Sequence, residues 1–275
     1  MAGVSSESLT KALDELELRL PFASLQLAKE LFSILGTIDS SAGLRRALTD
    51  PSRSGEEKSA LVKQLLSGKV SADAADIAAG LASSRWASAR DIGDALETLA
   101  ATVVIAVAEN KSAVSASGIT GLEALENDLF AFNQAVASSH EVQRALSEPQ
   151  ASAAAKIALA EKLVPGASQE AKVLIAQAVS NPRGYKPAKL VANFAGLAAK
   201  RQQRWIATVT VTRPLTDAQA SRLQAGLNNL YGRELKININ VDPRLIGGIR
   251  VQVGDEVLDA SVIGRLSELR RQLAG

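Results

Sequence analysis

Residues able to do covalent chemistry are few in this chain. One histidine, His140, and no cysteine stand among 275 residues. That composition excludes a multi-histidine metal site, thiolate ligation and disulfides. Three carboxylates, Asp255, Glu256 and Asp259, lie close together near the C-terminus and come nearest to an acid–base set. Their expected setting is a hairpin, where such side chains are solvated. The pair Gly247-Gly248 lies just upstream. Paired glycines cradle phosphate when a helix N-terminus follows, and here the pattern that follows is a strand. No catalytic, cofactor or metal site is expected.

Charge admits a different kind of function. The net charge of +2 hides a gradient: residues 1–100 carry 11 basic and 14 acidic groups, and residues 199–275 carry 12 and 7. The basic C-terminal section suits an acidic partner. A basic helical nucleic-acid-binding module is the alternative reading, weakened because no aromatics interleave with the basic residues. Lys200, Arg201 and Arg204 end a helical pattern, where cations complement the helix dipole. No apolar run reaches the roughly 18 residues of a membrane span, and the first residues lack the layout of a secretory signal.

The elements that must position these residues fall into three sections. The first two hundred residues have helical periodicity. Leu9, Leu13, Leu16 and Leu20 form one stripe, interrupted at Pro21. Leu27, Leu31, Ile34, Leu35 and Ile38 form the next. Shorter helices are expected around 61–66 and 74–81, and a longer one around 90–108. Sliding the chain by 98 residues then aligns it with itself without a gap. Over residues 43–100 there are 15 identities in 58, including Arg46, Leu48, Pro51, Lys58, Ile77, Arg85 and Leu99 with their counterparts. Shared alanine explains only a minority of these, so a tandem duplication of a helical unit is expected. The stretch where the second copy's leading helix would fall, 106–118, is polar, so the long helix before it is expected to serve both copies.

The third section alternates at the period of strands. Trp205, Ala207, Val209 and Val211 share one face of the first. Thr216 caps a helix carrying Leu223, Leu227 and Leu230. Leu235, Ile237, Ile239 and Val241 share one face of the second strand. Asp242-Pro243 opens a turn, and Gly248 is expected at positive φ or at a close backbone approach. Ile249, Val251 and Val253 mark a third strand with Arg250 outward. Gly254-Asp255 signals a hairpin into a fourth strand near 257–262, and Leu266, Leu269 and Leu273 mark a closing helix. The expected fold is mainly α: two tandem helical bundles, 1–108 and 109–204, then a small α+β domain, 205–275. Trp86 and Trp205 are expected in its cores, with an interface role second.

Val241-Asp242-Pro243, Leu245-Ile246-Gly247-Gly248, the Val251/Val253/Gly254 hairpin, Asp259, Ser261, and Leu266 with Leu269 together resemble a family signature. It is that of the delta subunit of the rotary ATP synthase, counterpart of the mitochondrial oligomycin-sensitivity-conferring protein. The resemblance runs over 133–275. Residues 1–108 depart from the common short form and resemble the long actinobacterial-type form with a duplicated helical unit. The resemblance implies a non-catalytic stator part, present once per complex and peripheral on the cytoplasmic face of the bacterial plasma membrane. It implies that the bundle binds N-terminal helices of alpha subunits and that residues 205–275 bind the C-terminal helices of the b subunit. It implies no nucleic acid and no membrane insertion. The expected groove in the second copy is lined by Ile175, Val179, Val103 and Val107. Ile77 and Leu81 are the matching positions of the first copy, which is equipped either to bind a second alpha helix or to brace the first.

Overall fold

The computed structural model describes residues 3–111, 121–203, 206–231, 235–245, 248–253 and 256–259. Its contacts divide the chain into two compact units, 1–198 and 199–275.

The helical unit opens with α1, Val4–Glu17, and a 3-10 turn at Leu20–Phe22. The turn forms where Pro21 removes a donor from the helical ladder. Leu16 and Leu20 are buried, while Leu9 and Leu13 are half-buried. Next come α2, Leu25–Ser40, α3, Ala42–Thr49, α4, Gly55–Leu66, α5, Ala72–Ser83, and α6, Asp91–Asn110. The second half continues with α7, Gly121–Ala137, α8, His140–Ser147, α9, Ala153–Leu163, α10, Gln169–Ser180, and α11, Pro187–Gln203.

The duplication is repeated bond by bond. Ser41 and Ser139 cap α3 and α8, and Ser54 and Ser152 cap α4 and α9. Each side-chain oxygen takes one of the orphan N–H groups of its helix. Arg45 reaches back to the carbonyl of Ile38, and its counterpart Gln143 reaches back to that of Val136. Glu30 of α2 accepts from the N–H of Ser71, the cap of α5, at 3.0 Å. Asp128 of α7 accepts from the N–H of Ser168, the cap of α10, at 2.8 Å.

These caps refine the gapless register expected from the sequence. Ser71 and Ser168 are 97 positions apart, not 98. The connections from α4 to α5 and from α9 to α10 are equal in length, and the missing residue falls in helix α9, which has 11 residues where α4 has 12.

Long α6 serves both halves. Ile92, Leu96, Leu99 and Val103 are buried along it, and it packs on α1, α2 and α5 as well as on α7 and α10. Asn110 at its end donates to the carbonyl of Leu20 at 2.8 Å. The polar stretch that follows lies, for residues 112–120, outside the described residues.

In the second unit, β1, Ile206–Val211, leads into α12, Asp217–Tyr231. Then come β2, Lys236–Val241, β3, Ile249–Val253, and β4, Glu256–Asp259. Thr216 and Gln219 cap α12 reciprocally, at 3.0 and 3.3 Å. The sheet order is β2-β1-β3-β4, with β1 parallel to β2 and the other pairs antiparallel. The register sets Val209 opposite both Ile239 and Val251, so one face is apolar. Ala207, Val209, Val211, Val251 and Val253 form its core with Leu227 of α12. Trp205, residues 260–262 of the expected last strand, and the expected closing helix with Leu273 lie outside the described residues.

Candidate functional site

A groove opens between α1 and α5. Ala12 and Leu16 line one side, Ile77, Gly80 and Leu81 the other, and Leu99 of α6 the floor; its volume is about 420 Å3. Its rim is charged. Lys11 pairs with Glu15 at 3.9 Å, Lys63 with Asp76 at 3.0 Å, and Arg19 with Asp73. These pairs are solvated, so they add little to stability. An apolar floor between two helices, edged by charge, has the shape that accepts an amphipathic helix.

The expected positions behave differently in the two copies. Ile77 is half-buried in the open groove, and Leu81 is buried in its wall. Ile175 and Val179 of α10 are 2% and 0% exposed, so they are interior residues. Ile175 borders only a crevice of about 10 Å3 between α9 and α10. Val103 of α6 is buried and Val107 is half-buried. Thus Ile77 and Leu81 meet around one opening, while Ile175, Val179 and Val103 are buried and Val107 is half-buried. Trp86 is core: it is 7% exposed and its indole N–H donates to the carbonyl of Leu81 at 2.8 Å.

A buried charge cluster joins the copies. Arg183, in the turn between α10 and α11, has a side chain only 5% exposed. Its Nε donates to Asp39 of α2 at 2.6 Å, and its Nη1 to Asp94 at 2.7 Å and Glu97 at 3.4 Å, both on α6. Arg183 has φ of +50°, a left-handed conformation costly for a side chain, and Gly184 follows at +85°. Arg90 fixes that turn from outside. It donates to the carbonyl of Arg183 at 2.9 Å and lies over the Tyr185 ring, 5.3 Å from its centre. A Cβ at Gly93 would collide with the Arg183 guanidinium, so the absence of a side chain there leaves room for it. Burial pushes the Glu97 carboxyl above its usual range, Arg183 opposes this, and Asp94 adds to it. Burial alone would lower the Arg183 pKa, but its bond to Asp39 and the three carboxylate charges raise it. Sequence reasoning missed this cluster. Its signal was Gly93-Asp94-x-x-Glu97 on an otherwise apolar helix.

The signature residues form a turn. Asp242 accepts from the N–H of Arg244 at 3.0 Å, and the Arg244 guanidinium approaches it at 3.1 Å. Those bonds, side-chain first, hold the Asp242 carboxyl below its usual range. Pro243 is exposed, Leu245 is half-buried, and Gly248 has φ of +81°, as the sequence led one to expect. Arg250 is exposed and stands opposite Asp259 in the β3–β4 register. Ile246, Gly247, Gly254, Asp255, Ser261, Leu266 and Leu269 lie outside the described residues. Among the described residues, no helix is long and apolar enough to cross a membrane.

The fold defines a mainly helical protein, a duplicated helical unit followed by a small α+β domain. The chain belongs to the ATP synthase delta (OSCP) subunit family, whose profile matches residues 111–273. It is 84% identical to the ATP synthase subunit delta of an Arthrobacter species and 69% identical to that of Renibacterium salmoninarum, each match covering both chains entirely. It is 38% identical to the subunit delta of Streptomyces griseus over all of both chains. The family match begins at the second copy, whereas these relatives match across both copies. A chain of the Toxoplasma gondii mitochondrial ATP synthase hexamer covers 64% of this chain and is itself covered to 95%. Its identity is 22% and its TM-score 0.32, too low to carry an argument.

Proposed function

We propose that the protein is a non-catalytic stator subunit of a proton-translocating rotary ATP synthase, present once per complex. It links the catalytic head to the peripheral stalk and resists the torque of the rotor. It sits on the cytoplasmic face of the plasma membrane through its partners. Family membership supports the subunit identity. The observation that carries the mechanism is the open apolar groove between α1 and α5. Such a groove binds a helix by burying its apolar face, and no reactive group is needed.

In this reading the groove takes the N-terminal helix of an alpha subunit, with Ile77 and Leu81 at its centre. The positions expected in the second copy, Ile175, Val179, Val103 and Val107, support the site from within. The functional divisions remain 1–108, 109–204 and 205–275, with α6 shared between the first two. Residues 205–275, with the Asp242 turn and a basic charge balance, bind the C-terminal helices of the b subunit.

Calorimetric titration of the alpha subunit's N-terminal peptide into the whole chain tests the groove. One site, lost in Ile77→Asp, is expected; two sites, or one untouched by that change, refute the assignment. Truncation after residue 204 is expected to abolish b binding and leave a folded helical product. Crosslinking mass spectrometry of the assembled complex should place alpha contacts on α1 and α5.

A further inference from the structure

The first helical copy holds an open groove, and the second holds its counterpart already filled. The helix pairs correspond. Arg19, just past the end of α1, reaches Asp73 in the first turn of α5. Lys111, at the end of α6, reaches Glu170 in the first turn of α10, at 2.8 Å. So the C-terminal half of α6 stands to α10 as α1 stands to α5.

Against the α6/α10 pair lies α2, which packs on both helices. Ala28, Phe32 and Leu35 are buried along one stripe of α2. Their counterparts 98 positions on, Glu126, Phe130 and Asn133, are not buried. Phe32 is 8% exposed and Phe130 is 64% exposed. The same repeat surface is therefore covered only where the second copy lies against it. One turn beyond Leu35 the stripe ends at Asp39, which is paired with Arg183 in the turn leaving α10. The N-terminal end of α2 lies near the Asn110 end of α6, and Asp39 lies beyond the end of α10, so α2 runs parallel to α10.

Arg85 is the residue 98 positions before Arg183 and leaves α5 as Arg183 leaves α10. It is exposed and forms no ion pair among the described residues. Its carbonyl accepts from Ser8 of α1 at 2.7 Å, which puts it at the end of the groove where α5 finishes. A second cation lies there: Lys58, buried, donates to the carbonyl of Ser84 at 3.0 Å. Burial, and then the charge of Arg85, lower the pKa of that ammonium. The rim carboxylates Glu15, Asp76 and Asp73 each have a cation of their own. The Arg85 end is thus the cationic end of the groove.

From this internal template we propose that the first copy's groove recognises an amphipathic helix that runs parallel to α5 and carries a carboxylate for Arg85. The carboxylate follows the groove-facing apolar stripe by one turn, as Asp39 follows Ala28, Phe32 and Leu35. This rests on the reading of the groove as the alpha-subunit helix site, and it adds polarity and a charge requirement to that reading.

The test uses the whole chain and a synthetic peptide of the alpha subunit's N-terminal segment. Ile77→Asp is expected to abolish binding; if it does not, the groove assignment itself fails. Arg85→Gln is expected to weaken binding about threefold to fivefold and to flatten its salt dependence, the range of a solvent-accessible ion pair. Arg85→Glu is expected to weaken it further, and a Lys at a single acidic position of the peptide restores binding to that variant. A spin label at the peptide's C-terminal end is expected to broaden amide signals around Ser84, and one at its N-terminal end those around Asp73. Loss of binding in Ile77→Asp with unchanged affinity in Arg85→Gln overturns the charge requirement while leaving the groove. Broadening in the reverse order overturns the polarity.

Discussion

The two helical copies share their caps and core positions, yet they present opposite faces to their surroundings. In the first copy the outer face of α5 is open: Asp73 and Asp76 are exposed, and Ile77 and Gly80 are half-buried. In the second copy the same face of α10 is closed, with Glu170, Leu174 and Gln177 buried. The difference arises from the order of the copies, not from their internal fold. In the second copy α10 has α2 of the first packed on it, whereas α5 packs mainly on α1, α2, α4 and α6 of its own half. Duplication here yields one groove and one joint rather than two grooves.

Charge follows the same asymmetry. Arg46, Lys58 and Arg85 recur as Arg144, Lys156 and Arg183. The acceptors of Arg183, by contrast, exist only in the first copy. Asp39, Asp94 and Glu97 correspond to Ala137, Ala192 and Ala195, and Gly93 corresponds to Val191. An arginine kept in both copies has a socket in one. That is the expected pattern for an inter-repeat joint.

The sharpest way to break the comparison is to place a charge on the same helix of each copy, α10 and α5. Ile175→Asp is expected to cost at least about 4 kcal/mol, because it buries an unpaired carboxylate. Ile77→Asp, at the open groove, is expected to stay within about 1 kcal/mol of the parent. Urea unfolding of both variants measures this, and equal costs would show that the two faces are alike. Next in size is Arg183→Met, which leaves Asp39 and Glu97 without their cation, while Asp94 keeps Arg90 at 3.5 Å. A loss of about 3–5 kcal/mol is expected, against no more than about 0.5 kcal/mol for Arg85→Met. A smaller loss for Arg183→Met would mean that the copies are joined by apolar packing alone.

Gly248→Val is expected to cost about 1–3 kcal/mol, since a β-branched residue is strained at φ of +81°. Its effect should be confined to the second unit, visible as lost b binding with an unchanged helical transition. The smallest effect concerns Glu97. Its folded pKa lies above the ordinary value, so the folded state holds the proton more tightly than the unfolded state. Its contribution is therefore greatest below the ordinary glutamate range and declines as pH rises towards the raised folded value. Stability measured against pH for Glu97→Gln is expected to lack that decline. A parallel pair of curves would show that Glu97 does not titrate in this window.

Much of this was legible in the amino-acid order because it is local. Ser41, Ser54, Ser71 and their counterparts start helices by accepting from N–H groups three residues on, and spacing alone reveals that. Val209 with Val251, and Asp242 with Gly248, follow from strand period and turn chemistry in the same way. The repeat was visible because core spacing survived in both copies. The shift from 98 to 97 was hidden, since Ile77 with Ile175 and Ala78 with Ala176 still match at 98 inside the shifted helix.

What tertiary structure alone decided is which copies of equal-looking residues are free. Ile77 and Leu174 hold matching positions in α5 and α10, counted from the caps Ser71 and Ser168, and no local property separates them. Their fates differ because α2, α6 and α10 come together and exclude water from one face. Arg183 meets Asp39 across 144 positions of chain, a pairing that propensity does not encode. The helices, strands and turns were set by short-range hydrogen bonding and periodicity, which the amino-acid order states directly. The open groove, the filled one and the charged joint were set by how whole helices pack, and only the folded chain shows that.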